Sequence, residues 1–96
     1  MDRKALEERW FHLTREQLPA AAVSQGWPVR FDHCFQRILL DNAVGRKWPE
    51  VIPAPAYRNA PDHVLEKAVM LAQKVIGGES DLVALNRRSL KMRGKL

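Results

Sequence analysis

The side chains best suited to chemistry lie together in residues 30–41, which read RFDHCFQRILLD. On a helix, His33, Arg37 and Asp41 stand one turn apart on one flank, and Cys34 lies one turn from Arg37. The pattern therefore places a base, a cation, an acid and a thiol within reach of one local site.

Two kinds of chemistry follow from this stretch. With Asp32 as the N-cap of the helix, Cys34 occupies the second helical position, where the helix dipole and free N–H groups favour a thiolate. A small thiol-dependent enzyme would use Cys34 as nucleophile or redox centre, His33 as acid or base and Asp41 as orienting group. In a binding protein, the neighbouring cations would instead clamp a small anion. The candidate catalytic residues are Cys34, His33 and Asp41, and the candidate anion-binding residues here are Arg30 and Arg37.

A structural interpretation of the same residues is the alternative. Free cysteine is among the most buried residue types, so Cys34 would face the core. His33, Arg37 and Asp41 would then form a partly buried polar network that ties their helix to the proline-rich segment after it.

The C-terminal segment is a second candidate site, because its charges are all positive. Five of the 16 Lys and Arg residues lie in residues 82–96, and the remaining 11 equal the 11 acidic residues, all of which precede residue 82. Arg87, Lys91 and Lys95 recur at helical spacing with Arg88 beside them, which predicts a stripe that binds nucleic-acid phosphates. Helices on both sides of Gly77-Gly78 are also similar to a helix-turn-helix. Alternatively, these cations stabilise the helix dipole and solubility. The anion-binding candidates here are Arg87, Arg88 and Lys91.

Metal and cofactor chemistry are not predicted. His12, His33 and His63 lack the spacing of zinc ligands, and the chain has no glycine-rich phosphate loop. The partner that the sequence favours is therefore nucleic acid or a small anionic ligand, bound without a metal or cofactor.

Composition predicts one domain over residues 1–96. The chain is 46% hydrophobic and 28% charged with both signs mixed, which is typical of a globular protein. Its charged start lacks the apolar run of a secretory signal, and no apolar run approaches the roughly 20 residues needed to span a membrane. A single cysteine, Cys34, fits a reducing compartment. We therefore expect a cytoplasmic protein with no membrane segment.

The elements that position these residues are predicted to be all helical, in a small four- to five-helix domain. A capping box at residues 14–17 predicts a helix restart, and the three prolines of residues 48–59 predict a strap that Trp48, Val51, Ile52 and Tyr57 hold onto the helices. The predicted helices are residues 3–13, a short one ending at Gly26, 33–44 ending at Gly45, one from Pro61 to Gly77, and 81–92 capped by Ser80 with a frayed end at residues 94–95.

Residues 27–38, WPVRFDHCFQRI, give the chain a resemblance to a family of short, uncharacterised bacterial and fungal proteins. The likeness continues through Trp48, the Ile52-Pro53 strap and residues 85–87. Members are sometimes labelled N-acetyltransferase-related, which would imply acetyl-CoA and a mixed sheet, although this chain lacks the glycine-rich pyrophosphate loop. The leading prediction is a small helical binding or accessory module for an anionic partner, and the alternatives are a thiol enzyme or an acetyltransferase-related protein.

Overall fold

The computed structural model describes residues 2–96, which contain helices and no strand. Helix makes up 73% of these residues, so the predicted all-α fold of four to five helices is confirmed. The elements in chain order are α1 (Arg3–His12), a π-helical turn (Leu13–Gln17), α2 (Leu18–Gln25), α3 (Asp32–Val44), a 3-10 turn (Trp48–Glu50), α4 (Ala56–Asn59), α5 (Asp62–Ile76) and α6 (Leu82–Met92).

The first three elements form one continuous helix, so the predicted restart is wrong. Thr14 lies buried inside it, and its hydroxyl donates to the Trp10 carbonyl at 2.9 Å instead of capping a new helix. The N–H of Leu18 reaches back five residues to the carbonyl of Leu13. Because Pro19 has no N–H and its ring crowds the carbonyl four residues earlier, a wider π turn just before it relieves the clash.

The observed C-terminal ends of the helices agree with the predicted ends more closely than the observed N-caps agree with the predicted N-caps. Gly26 and Gly45 end α2 and α3 with φ of 67° and 80°, the left-handed conformation that glycine adopts without strain. Asp32 is the first residue of α3 rather than its N-cap, and α6 is capped by the carboxylate of Asp81 rather than by Ser80. Both N-cap predictions are therefore one residue in error.

The proline-rich strap is held down mainly by Ile52, which is buried, while Trp48 and Tyr57 are partly buried against the core. Val51 is 51% exposed, contrary to the prediction that it packs on the helices. The strap also contains a 3-10 turn, with Pro49 in its first turn, and the one-turn helix α4, which Pro55 precedes as N-cap.

The core lies around α3, which packs against both α5 and α6, while α1 packs on α5. Its largest buried side chains include Trp10 and Phe35. The apolar helical spacing also predicts inward positions for Phe31, Ile76 and Val83, but all three are exposed and lie just before a helix or within its first or last turn. No helix within residues 2–96 is both long and apolar enough to cross a membrane.

Candidate functional site

A polar network centred on the carboxylate of Asp41 joins α3 to α6. This carboxylate is fully buried and accepts hydrogen bonds from the Ser89 hydroxyl at 2.6 Å, the Trp48 backbone N–H at 2.9 Å and the Arg93 guanidinium at 2.6 and 3.0 Å. Burial opposes ionisation, but the hydrogen bonds from Arg93, Ser89 and Trp48 outweigh it and lower the pKa of Asp41 below its ordinary value. Asp41 is therefore an ionised structural anchor with its oxygens occupied.

Arg37 points into the same interface. One of its terminal nitrogens donates to Ser89 Oγ at 2.7 Å and the other to Asn86 Oδ1 at 2.9 Å. Ser89 thus accepts from Arg37 and donates to Asp41, which connects the two α3 residues through α6. No ion pair of the described residues includes Arg37, so hydroxyl and amide groups hold its charge in place without a carboxylate in direct contact.

His33 stands apart from this network. Its side chain is 77% exposed, lies 3.7 Å from the Asp32 carboxylate and stacks on the Phe31 ring at 5.8 Å between centroids. Although His33 and Asp41 share one flank of α3, they are two turns apart and contact different surroundings. The polar network of the structural interpretation therefore includes Arg37 and Asp41 but not His33.

Cys34 is the third residue of α3 rather than the second, and it is half-buried outside the set of buried core residues. Asp41, which the enzyme hypothesis uses to orient His33, is bonded to α6 and to the strap instead. In residues 2–96, no three His, Cys, Asp or Glu side chains are grouped so that they could hold a metal ion. The structure does not assemble Cys34, His33 and Asp41 into one site.

Arg30 also lies away from Arg37. Its side chain is exposed and lines a depression at the end of α2, beside Val23 and Trp27. The two arginines therefore do not form the single anion clamp that the sequence suggested.

An aromatic cleft lies between the first helix, α3 and the strap. Its volume is about 250 Å³, and Phe11 and Tyr57 meet edge to face in its wall with ring centroids 4.8 Å apart. Arg37 reaches the cleft from α3, next to His33 and Gln36. We call this cavity the aromatic cleft, and its remaining lining residues are Trp10, Leu40, Trp48, Pro55 and Ala56.

Sequence reasoning missed the aromatic cleft as a site. The proline-rich strap predicts that Trp48 and Tyr57 are packing anchors, whereas Phe11 and Tyr57 are distant in sequence and meet only in the folded chain. The local signal is the spacing of Arg37 and Asp41, which stand one turn apart and therefore share one flank of α3.

The exposed side of α6 carries a second group of candidate site residues, which are all cations. Arg87, Arg88 and Lys91 are exposed, surround a shallow depression at Ala84, and take part in no ion pair of the described chain. We call Arg87, Arg88 and Lys91 the basic face of α6. Arg93 does not belong to it, because its guanidinium is turned inward onto Asp41.

Two sequence expectations about this segment need correction. The predicted stripe does not extend to Lys95, because Gly94 turns the chain with φ of 70° and the Lys95 N–H donates back to the Leu90 carbonyl at 2.8 Å. This bond closes the last turn of the helix, where the sequence predicts a frayed end. In addition, α6 packs on α3 rather than on α5, so α5 and α6 are not the closely packed pair of a helix-turn-helix.

Comparison of the chain with protein-family models, with curated proteins and with solved structures found no match. The family resemblance drawn from residues 27–38 therefore stays a prediction, and the case for function depends on the chemistry of the two clusters.

Proposed function

We propose that the protein is a small helical module that binds nucleic acid through the basic face of α6. The observation that carries the proposal is the grouping of Arg87, Arg88 and Lys91, three exposed cations without an acidic partner in the described chain. Arginine guanidinium groups fit phosphate oxygens in a two-point geometry, and lysine adds a mobile point charge.

The rest of α6 supports this role because it fixes the helix in one orientation. Ser89 and Arg93 are bonded to Asp41, and Asn86 to Arg37, so the inner side of α6 is anchored on α3. A cation presented from an anchored helix loses less conformational freedom on binding than one from a flexible tail.

Nucleic acid fits this surface better than an anionic membrane does. A helix that lies on a membrane needs large apolar side chains beside its cations, to enter the lipid. On α6 the depression between the three cations is formed by Ala84, Leu82 and Leu85 are buried in the core, and Val83 is the single large apolar side chain exposed on the described helix. A reducing, cytoplasmic setting is part of the proposal, since Cys34 is the single cysteine.

The test is fluorescence anisotropy with a labelled oligonucleotide, single-stranded and as a duplex, across a series of salt concentrations. If all three cations contact phosphates, log Kd for the duplex should change with log salt by a slope of at least about 2.7 in magnitude. The triple variant R87A/R88A/K91A should weaken binding and lose about that share of the slope.

The matched control removes the same charge elsewhere. Lys4, Lys67 and Lys74 are exposed on α1 and α5, and K4A/K67A/K74A should retain most of the affinity and the slope. Equal losses in the two triple variants would mean that only net charge matters, and a flat salt dependence would exclude phosphate contacts altogether. Stronger binding to anionic vesicles than to the oligonucleotide would assign the surface to a membrane instead.

A further inference from the structure

The aromatic cleft is a second place where this chain presents a cation, and it differs from the basic face in being concave and lined mainly by rings. We infer that the aromatic cleft binds a small aromatic carboxylate, with Arg37 as its counter-charge. The inference is independent of nucleic-acid binding by α6, since the two sites share no residue.

The walls of the aromatic cleft favour a ligand with a flat apolar ring. Phe11 and Tyr57 meet edge to face at 62° between ring planes, and the Arg15 guanidinium covers the Phe11 ring at 3.8 Å from its centroid. Trp10, Trp48 and Pro55 supply further apolar surface. Its volume, about 250 Å³, is slightly below the roughly 300 to 1,000 Å³ of typical ligand sites, so the ligand must be small.

The charge of Arg37 favours an anion. A guanidinium has five N–H donors, and hydrogen bonds to Asn86 and Ser89 use two of them among the described residues. The other donors have no protein acceptor within that part of the chain. Because the two bonds fix the guanidinium plane, the remaining N–H groups are preorganised to donate to a carboxylate.

The surroundings of Arg37 add to this preference. The side-chain N–H of Gln36 donates a hydrogen bond to Thr14 Oγ at 3.1 Å, which fixes its position. His33 is exposed at the rim of the aromatic cleft. Among the described residues, no carboxylate lines the aromatic cleft, so no acidic side chain there competes with an anionic ligand for Arg37. An aromatic cation would be repelled, and a neutral ring would lose the charged contact.

Three probe ligands separate these contributions: benzoate carries ring and charge, benzamide has the ring without the charge, and acetate has the charge without the ring. Binding is followed by the NMR signals of the three indole N–H groups. Trp10 and Trp48 line the aromatic cleft, whereas Trp27 lies elsewhere and serves as an internal control. Benzoate should shift the Trp10 and Trp48 signals and leave Trp27 unchanged, and it should bind about tenfold or more tightly than benzamide or acetate.

Variants test the assignment of the charge. Arg37→Gln should weaken benzoate binding by about tenfold or more, and Arg30→Gln, an exposed arginine outside the aromatic cleft, should leave it unchanged. Because Arg37 also joins α3 to α6, a second variant is needed that spares this network. Tyr57→Ala removes part of the wall and should weaken benzoate and benzamide alike, by about fivefold.

Each contrary result is informative. Absence of benzoate-induced shifts at Trp10 and Trp48 overturns the site. Equal affinity for benzoate and benzamide, or unchanged binding in Arg37→Gln, overturns the role of the charge. Tighter binding of phenyl phosphate than of benzoate assigns the aromatic cleft to phosphate monoesters instead, against the carboxylate.

Discussion

Arg93 contacts Asp41 at two points, with Nε 2.6 Å from Oδ2 and a terminal nitrogen 3.0 Å from Oδ1. The carboxylate is fully buried and the arginine side chain is 22% exposed. This pair joins the middle of the chain to its last helix and removes one cation from the basic segment. The opposite side of α6 therefore faces solvent, and Arg87, Arg88 and Lys91 are accessible to a binding partner.

The first prediction concerns the stability that this pair supplies. Asp41→Asn leaves Arg93 without its carboxylate, and Arg93→Met leaves a buried carboxylate with only Ser89 and Trp48 as donors. Because one partner of a buried pair is left uncompensated, each change should lower the free energy of unfolding by about 2 to 4 kcal/mol. Urea unfolding followed by circular dichroism measures this.

The control is Arg88→Met, which removes an exposed cation from the same helix and should change stability by no more than about 0.5 kcal/mol. The double variant D41N/R93M should cost clearly less than the sum of its two single changes, since both remove the same interaction. Strictly additive losses would show that the pair is not coupled in solution.

The second prediction is the pH dependence that follows from the pKa of Asp41. Hydrogen bonds from Arg93, Ser89 and Trp48 lower this pKa in the folded protein, against the opposing effect of burial. A carboxyl group whose pKa is lower in the folded protein stabilises the fold at pH values above its unfolded pKa, which is about 3.9 for Asp. This stabilisation is lost as the pH falls through the folded pKa.

The measurement compares the wild-type protein with Asp41→Asn in urea at several pH values. Their difference in unfolding free energy should be constant near neutral pH and should shrink below about pH 4. A difference that stays constant into strong acid would contradict the ionised state of Asp41 in the fold.

The sequence predicted local structure better than the contacts between distant elements. Periodic apolar residues predict the buried face of α5, where Val64, Leu65, Ala68, Val69, Ala72 and Val75 are buried and Ile76, at the helix end, is exposed. The partners of Arg37 and Asp41 lie 49 and 52 residues away, and no local pattern states which helix will lie beside α3. The fold class was therefore predictable from the residues, and the geometry of both candidate sites was not.

The predicted helix restart at residues 14–17 is wrong for a different reason. Thr14 and Gln17 fit a capping box, but a threonine inside a helix also donates to the carbonyl four residues earlier. Burial of Thr14 and the contact with Gln36 from α3 decide between the two outcomes, and both depend on tertiary structure.

The third prediction tests this buried hydroxyl. Thr14→Val keeps the side-chain volume but removes the donor to Trp10 and the acceptor for Gln36. The cost should be about 1 to 2 kcal/mol, because the partly buried Gln36 amide loses its partner. Ser24→Ala is the matched control, since Ser24 makes a similar helical bond to Ala21 on the exposed surface and should cost no more than about 0.5 kcal/mol. Equal costs would mean that the contact with Gln36 contributes nothing.

The last prediction decides between the binding module and the thiol enzyme, which differ in what they require of Cys34. The thiol is half-buried, and His33 and Asp41 are engaged elsewhere. Partial shielding without an activating neighbour should make the native thiol react with an alkylating reagent at pH 7 more slowly than the same thiol in urea.

One variant makes the alkylation measurement discriminating, and a second variant tests the packing of Cys34 through stability. Arg37→Gln should leave the native alkylation rate unchanged, because the guanidinium of Arg37 donates to Asn86 and Ser89 on α6. Cys34→Ala should lower stability by about 1 kcal/mol through the lost packing of a half-buried side chain. A native rate above the unfolded rate, together with a clear slowing in Arg37→Gln, would reverse this conclusion. Cys34 would then be an activated nucleophile with Arg37 as its activating cation, and the thiol enzyme would become the leading hypothesis.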